Sequence, residues 1–308
     1  MSETRYIPVP DAFAGERADA VMAKLLGLSR SKAADLLEAE SVSVSGKILD
    51  KSSRVEAGQL LEIILEPTRD PLEVEATMVD DLTVVYQDED LVVIDKPAGV
   101  AAHPSVGWDG PTVPGALLAL GIPVSTSGAH ERQGIVQRLD VGTSGLMVVA
   151  KSELAYSRLK QAFRDRVVDK TYHAVVQGHL DPLVGTFDAP IGRHPKADFK
   201  FAVMNSGKHA ITHYEAIEMF PGATLVEVDL ETGRTHQIRV HFSAFKHPLV
   251  GDTMYGADPK LAGKLGLVRQ WLHAVKLSFD HPISGQRMTF ESGYPQDLAA
   301  ALDTLRHH

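Results

Sequence analysis

The residues between Ile135 and Lys151 combine an acidic side chain with the composition of a turn. They read I-V-Q-R-L-D-V-G-T-S-G-L-M-V-V-A-K, so Asp140 ends one apolar run and a glycine-containing stretch separates it from the next. This pattern predicts strand, tight turn and strand. An aspartate in a turn most often hydrogen-bonds its own backbone. A carboxylate at the edge of a sheet can instead act as a nucleophile or as a base.

A second group of polar side chains occupies the run R-T-H-Q-I-R-V-H-F at 234–242, which follows a half-buried strand pattern and the turn E-T-G. Thr235 is suitably placed to cap a helix with apolar residues at helical spacing. Arg234 and Arg239 would then lie near the N-terminus of that helix, where the helix dipole disfavours cations. They therefore need an anion nearby, and a carboxylate or a phosphate would serve.

Composition excludes several kinds of chemistry. The chain has no cysteine, so disulfides, thiolate nucleophiles and Cys-ligated metal sites are ruled out. His236, His241 and His247 follow one another at spacings of five and six, which places them on different faces of a helix. No acidic residue stands at a metalloprotease-like offset, and neither a P-loop nor a dinucleotide fingerprint is present. We expect no metal and no cofactor.

Length and charge set the broad class of the protein. The 308 residues, 44% hydrophobic and 23% charged, fit a globular chain with one large domain and a small one. No apolar run is long enough to span a membrane and the N-terminus does not read as a signal peptide, so we expect a cytoplasmic protein. The formal charge of −9 argues against nucleic-acid binding by bulk electrostatics. If RNA is the partner, the basic groups must be local.

The first 66 residues predict a small helical unit with a hairpin. Apolar spacing indicates one helix within 15–27 and a second over 32–39, which Ser29 or Ser31 could cap. A turn at Gly46 and a strand at 59–65 follow. The acidic, proline-containing stretch 67–81 reads as a linker.

Three cations of this unit are candidate phosphate contacts, because they stand at a helix start and at a hairpin tip. They are Arg30, Lys32 and Lys47. The alternative is that these cations only form part of a solvent-exposed face of an acidic unit.

Beyond the linker, strands are predicted within 82–94, a short helix within a loop-rich stretch at 107–128, and a helix at 153–163. The run 169–176 has high β propensity and contains Tyr172. A tyrosine in a strand usually serves in core or cross-strand packing.

Four blocks of the chain resemble the RluA/RluD-type pseudouridine synthases. Q-R-L-D-V-G-T-S-G-L resembles that family's catalytic motif, usually H-R-L-D-x-x-T-S-G-L, with Gln137 where histidine is common. The others are D-L-V-V-I-D-K-P-A-G-V-A-A-H-P, K-T-Y, and T-G-R-T-H-Q-I-R-V-H-F followed by H-P-L-V-G-D-T-M-Y-G. The segment S-R-S-K-A-A-D-L-L-E-A-E-S-V-S-V-S-G-K resembles the small RNA-binding domain named after ribosomal protein "S-four".

The resemblance implies roles for individual residues. Asp140 would be the catalytic group, Tyr172 would lie in the uridine pocket, and Arg239 would pair with Asp140 and keep it charged. Arg138 could fill the stack that a flipped-out base leaves, and Arg234 would contact RNA. Whether Asp140 attacks as a nucleophile or removes the 2′ proton stays open at this point.

The resemblance also implies a fold and a reaction. The fold is α+β, with a mixed, largely antiparallel central sheet flanked by helices, preceded by a small α+β RNA-binding domain. The domains would span 14–66 and 82–308, with 67–81 as linker. We expect a monomer that isomerises uridine to pseudouridine in RNA, with large-subunit (23S) rRNA or a pre-ribosomal particle as the substrate. The alternatives are a tRNA target and a non-catalytic RNA-binding or ribosome assembly factor.

Overall fold

The computed structural model describes residues 3–65 and 72–307. The chain divides into two compact units, Met1–Asp70 and Pro71–His308, which are described separately below. In the described residues, no helix is both long and apolar enough to cross a membrane.

The small unit packs two helices against a four-stranded antiparallel sheet. Its elements are β1 Glu3–Pro8, a 3-10 turn Asp11–Phe13, α1 Ala18–Leu26, α2 Arg30–Glu38, β2 Val42–Val44, β3 Lys47–Ile48 and β4 Leu60–Leu65. The strand order in the sheet is β1-β4-β2-β3. Both predicted helices are present. Gly27 ends α1 in the left-handed conformation, and the Ser29 hydroxyl caps α2 by accepting from the Lys32 amide. The predicted lower boundary at 14 omitted strand β1.

The large unit is built on a nine-stranded sheet. Its strands are β5 Thr83–Gln87, β6 Leu91–Lys96, β7 Ser144–Ala150, β8 Asp169–Gln177, β9 Val184–Asp188, β12 Ile211–Phe220, β13 Ala223–Leu230, β14 Leu272–Asp280 and β15 Arg287–Glu291. They lie in the order β5-β6-β7-β14-β8-β13-β12-β9, with β15 paired to β14. All the described strand pairs of this sheet are antiparallel except β7 with β14, so the sheet is mixed and largely antiparallel, as predicted. A separate hairpin joins β10 Ile191–His194 to β11 Ala197–Val203.

Helices cover both faces of this sheet. They are α3 Val113–Ala119, α4 Glu153–Asp165, α5 Gln237–Ala244, α6 Pro259–Lys264 and α7 Gln296–Arg306, with 3-10 turns at His130–Arg132 and Thr253–Tyr255. Helices α3 and α5 share one core cluster with alternate strand residues such as Val92 and Met147, whereas α4 packs on the opposite face with Val93 and Val148. Burial on both faces explains why every residue of β7 is buried.

The strand predicted before Asp140 is absent. Residues 136–140 form no strand, and only Ile135 makes a β-bridge, with Val149. Ile135 and Leu139 are buried, so this segment is apolar because it packs in the core and not because it pairs with a neighbouring strand. Within the predicted linker, residues 67–71 lie outside the described part of the chain. Residues 72–81 contain no helix or strand, and Thr77 donates to the carbonyl of Gly115.

Candidate active site

The turn between Leu139 and β7 presents Asp140 to a cleft. Within the turn, the Thr143 amide donates to the carbonyl of Asp140 at 2.9 Å, and the Gly99 amide donates to Val141 at 2.8 Å. Gly145 follows with φ 116°, and an added Cβ there would lie 2.4 Å from the Ala274 carbonyl oxygen. Glycine is required at this position because β14 approaches the turn so closely.

Arg239, on the first turns of α5, reaches Asp140 from the opposite side of the cleft. Its Nη1 donates to Oδ2 of Asp140 at 3.1 Å. Its Nε and Nη2 donate to the two oxygens of Asp252 at 2.7 and 3.0 Å. Burial acts to lower the pKa of Arg239, but the two carboxylates outweigh burial and raise it above its ordinary value. The anions that the sequence required near this cation are therefore Asp140 and Asp252.

Two further groups from the central strands lie near Asp140. Tyr172 of β8 is buried, and burial together with the negative charge of Asp140 raises the pKa of its phenol. Lys96, at the end of β6, is fully buried and donates to the carbonyls of Pro97 and Val100, both at 2.9 Å. Burial lowers the pKa of Lys96 to about 7, while Asp140 opposes that shift.

The cleft has a volume of about 450 Å³, and five of the predicted site residues line it together. These are Arg138, Asp140, Tyr172, Arg234 and Arg239. Arg138 donates to the hydroxyl of Thr235, and Arg234 donates through Nε to the carbonyl of His209 at 3.0 Å. Asp140 and Arg239, 99 positions apart in the chain, thus meet because the turn before β7 and the start of α5 line the same cleft.

The start of α5 differs from its prediction. The N-cap residue is His236 with φ 57°, and no side chain accepts at the cap, so Thr235 is not the cap. Instead, Oε1 of Gln237 reaches back and accepts from the Arg234 amide at 3.0 Å. The hydroxyl of Thr235 instead accepts from Arg138.

The three predicted phosphate contacts of the small unit have different surroundings. Arg30 is paired with Asp19, which also accepts from Arg17. Lys32 and Lys47 are exposed, and no ion pair of their ammonium groups occurs among the described residues. Arg17 and Arg30 therefore share the one carboxylate of Asp19.

The histidines considered for a metal do not converge. His236 bonds Tyr255, His241 bonds Thr212 and a carbonyl, and His247 bonds the Gln177 carbonyl. Elsewhere, the side chains of Asp88, Asp90 and His281 come within 4.8 Å of one another, away from the residues that line the cleft.

The sequence analysis assigned no role to two residues that belong to this site. Asp252 lies in the block H-P-L-V-G-D-T-M-Y-G, and no local pattern marks it, because its contact with Arg239 depends on the path of the chain after α5. Gln137 lines the cleft and its Nε2 is buried without a hydrogen-bond partner in the described structure.

Comparison with known proteins gives consistent results. A family described as RNA pseudouridylate synthase matches residues 90–244. An uncharacterized RNA pseudouridine synthase of Mycobacterium bovis is 57% identical over 302 residues, 98% of each chain. The ribosomal large subunit pseudouridine synthase D of Nitrosomonas europaea is 41% identical over 99% of this chain and 88% of its own. The structure of human RNA pseudouridylate synthase domain containing 1 superimposes with a TM-score of 0.59 at 26% identity, over 74% of this chain and 90% of that one.

Proposed function

The chain belongs to the RNA pseudouridine synthases, and from that membership we propose that it modifies uridines of large-subunit (23S) ribosomal RNA with Asp140 as the reacting group. The reaction is an isomerisation in RNA. The uracil is detached from C1′, rotated, and rejoined to the same ribose through C5. No electron and no phosphoryl group is transferred.

The contact between Asp140 and Arg239 carries the assignment of the reacting group. A carboxylate must be ionised to attack a carbon or to remove the 2′ proton, and a desolvated carboxylate without a partner tends to protonate. Arg239 donates to Oδ2 of Asp140 at 3.1 Å and is itself held by Asp252. The guanidinium thus lies beside the carboxylate that both the nucleophilic and the basic mechanism need in its charged form. Among the described residues no hydrogen bond reaches Oδ1 of Asp140, and Nε2 of His236 lies 4.0 Å from it.

The remaining cleft residues supply binding. A paired or stacked uridine must leave the helix at a cost of a few kcal/mol, which the pocket has to offset. Tyr172 offers an apolar ring to the base, and Arg138 is placed two residues before Asp140 to fill the vacated stack. Arg234 at the rim and Arg30, Lys32 and Lys47 of the small unit are suited to phosphate contacts, which position the RNA without reading its sequence.

The choice of ribosomal RNA rests on relatives that are named ribosomal large subunit pseudouridine synthase D, such as those of Nitrosomonas europaea and Pseudomonas aeruginosa. A tRNA target is the competing proposal, because the cleft residues would serve either RNA. The predicted small RNA-binding domain at 14–66 favours the ribosomal target.

Mapping pseudouridines in total RNA from cells with and without this protein tests the target. Sites that depend on the protein should lie in 23S rRNA, and sites confined to tRNA would overturn the proposal. Complementation with Asp140→Asn tests the reacting group. The substitution keeps size and removes charge, so conversion should vanish while folding and RNA binding persist. Turnover by this variant, with deamidation excluded by mass spectrometry, would refute the role of Asp140.

A further inference from the structure

His236 occupies an unusual backbone position beside Asp140. As the N-cap residue of α5 it has φ 57° and ψ 21°, the left-handed conformation that residues other than glycine rarely adopt. Such a conformation persists when the surroundings hold it, and it is frequent at functional sites. Here the ring is held on two sides. Its Nδ1 lies 2.7 Å from the hydroxyl of Tyr255, and the ring of Phe201 meets it edge-on at 5.7 Å.

The hydrogen bonds around the Tyr255 hydroxyl indicate which nitrogen of His236 carries the proton. The backbone amide of Phe201, which can only donate, points to the Tyr255 hydroxyl at 3.0 Å. The hydroxyl therefore accepts from Phe201 and gives its own hydrogen to Nδ1 of His236. The other tautomer would leave that hydrogen without an acceptor in the described structure and would turn a lone pair toward Asp140. Burial lowers the pKa of His236, so the ring is neutral with its hydrogen on Nε2.

This hydrogen faces the oxygen of Asp140 that Arg239 leaves free. Nε2 of His236 lies 4.0 Å from Oδ1 of Asp140, whereas Arg239 binds Oδ2. Tyr255 contacts both neighbours of Asp140, since the guanidinium carbon of Arg239 lies 4.9 Å from the centroid of its ring. One tyrosine thus supports the two donors that face the two oxygens of a single carboxylate.

We propose that His236 is a positioning residue: its Nε2–H orients Oδ1 of Asp140, and Tyr255 fixes the tautomer that makes this possible. The inference rests on the proposed role of Asp140 as the reacting group. A carboxylate held at one oxygen retains rotation about its last torsion, which has a broad energy profile. A second donor limits that rotation and directs the remaining lone pairs into the cleft. Small errors in such geometry lower the rate of the chemical step more than they lower binding.

Two substitutions at position 236 separate this role from packing. Asparagine accepts a left-handed backbone, but its amide reaches only as far as Nδ1, so His236→Asn removes the donor to Asp140. Glutamine places an amide nitrogen near the position of Nε2. We expect kcat for pseudouridine formation to fall about 10- to 100-fold in His236→Asn and to recover to within about 3-fold of the native value in His236→Gln. The Kd for the RNA should be unchanged in both.

Tyr255→Phe provides an independent test, because it keeps the ring over Arg239 and removes only the hydroxyl. Its kcat should fall, and the double variant with His236→Asn should be no slower than His236→Asn alone, since both changes remove the same interaction.

Three kinds of result would overturn the proposal. They are a native kcat in His236→Asn or in Tyr255→Phe, equal losses of kcat in the two position-236 variants, and additive losses in the double variant. Asp140→Asn measured in parallel separates the two proposals. Turnover by Asp140→Asn would refute the reacting group, whereas failure of the His236 pattern beside an inactive Asp140→Asn would refute only this inference.

Discussion

Asp252 binds the guanidinium of Arg239 through two hydrogen bonds, Nε to Oδ2 at 2.7 Å and Nη2 to Oδ1 at 3.0 Å. Asp252 is 1% exposed and Arg239 is 7% exposed, so the pair is shielded from water. Two parallel bonds fix the plane of a guanidinium as well as its position. The one remaining nitrogen, Nη1, is thereby aimed at Asp140, which makes Asp252 a positioning group for the site.

Asp252→Asn should therefore impair both stability and activity. The amide of asparagine has one acceptor oxygen where the carboxylate has two, so at least one buried guanidinium hydrogen bond is lost, which costs about 1 to 3 kcal/mol of unfolding free energy. Because Arg239 would no longer be held in one plane, we expect kcat to fall about 100-fold, with a smaller change in RNA affinity. Urea unfolding and single-turnover kinetics measure the two effects.

Glu218→Gln is a matched control for this change. Glu218 also accepts two guanidinium nitrogens, from Arg306, but this pair lies at the surface. Surface pairs contribute little to stability, so this variant should resemble the native protein in both assays. If Asp252→Asn were equally silent, Asp252 would not position Arg239.

A largely shielded chain of hydrogen bonds anchors the strand that follows Asp140. The Ser292 hydroxyl donates to Asp95, so it accepts from Nε2 of His273 at 3.0 Å, and Nδ1 of His273 then accepts from Ser144 at 2.8 Å. Ser144 is the first residue of β7. Burial, aided by the charge of Arg269, lowers the pKa of His273 to about 4.

The lowered pKa of His273 predicts that the protein loses stability in mild acid. In the unfolded chain it would take up a proton near its ordinary pKa of 6.5, whereas in the fold it does so only near 4. Between these values the unfolded state binds more protons, so the contribution of His273 is complete above pH 6.5 and falls as the pH drops toward 4. At about 1.4 kcal/mol per pKa unit the total is roughly 3 kcal/mol.

Urea unfolding between pH 7.5 and 4.5 measures this effect. Both tryptophans, Trp108 and Trp271, belong to the large unit, so their fluorescence follows its unfolding. His273→Gln should be less stable at pH 7.5 but should lose less stability on acidification than the native chain. The exposed His130, changed to Gln, should leave the native pH dependence intact. Parallel pH curves for native protein and His273→Gln would contradict the assignment.

The sequence predicted those parts of the fold that local patterns determine. The helices of the small unit, the glycine turn after Asp140 and strand β8 followed from apolar spacing, caps and turn residues. The apolar run before Asp140 was misread because buried residues in an irregular segment have the same composition as a strand. Asp252 could not be assigned because its contact with Arg239 depends on the path of the chain after α5, which no local pattern encodes.

The exposed lysines of the small unit should contribute to RNA affinity through phosphate contacts. Lys32→Ala combined with Lys47→Ala removes two charges, so the Kd should rise several-fold and the slope of log Kd against log salt should decrease by about 1 to 2. Turnover at saturating RNA should not change. The same number of charges is lost in Lys24→Ala with Lys51→Ala, whose ammonium groups are paired with Glu16 and Glu38. Equal effects of the two double variants would mean that only net charge matters.

Arg138 should matter most when the target uridine is paired. If its guanidinium fills the space that the extruded base leaves, it offsets an unstacking cost of a few kcal/mol, and a target that is already unpaired has less of that cost to offset. We therefore expect Arg138→Met to lower kcat/KM about 10- to 100-fold on a hairpin RNA with a paired target, and only a few-fold on the same hairpin with an abasic site opposite the uridine. Arg138→Lys retains the charge but lacks a planar group that can stack, so it should show the same dependence on pairing.

Arg234→Met serves as the comparison. Arg234 is proposed to contact a phosphate at the rim, so the loss of this contact should lower kcat/KM by a similar factor for both RNAs. If Arg138→Met lowered kcat/KM equally for the two RNAs, or if Arg138→Lys restored the native kcat/KM, Arg138 would contact the RNA backbone and would not fill the stack.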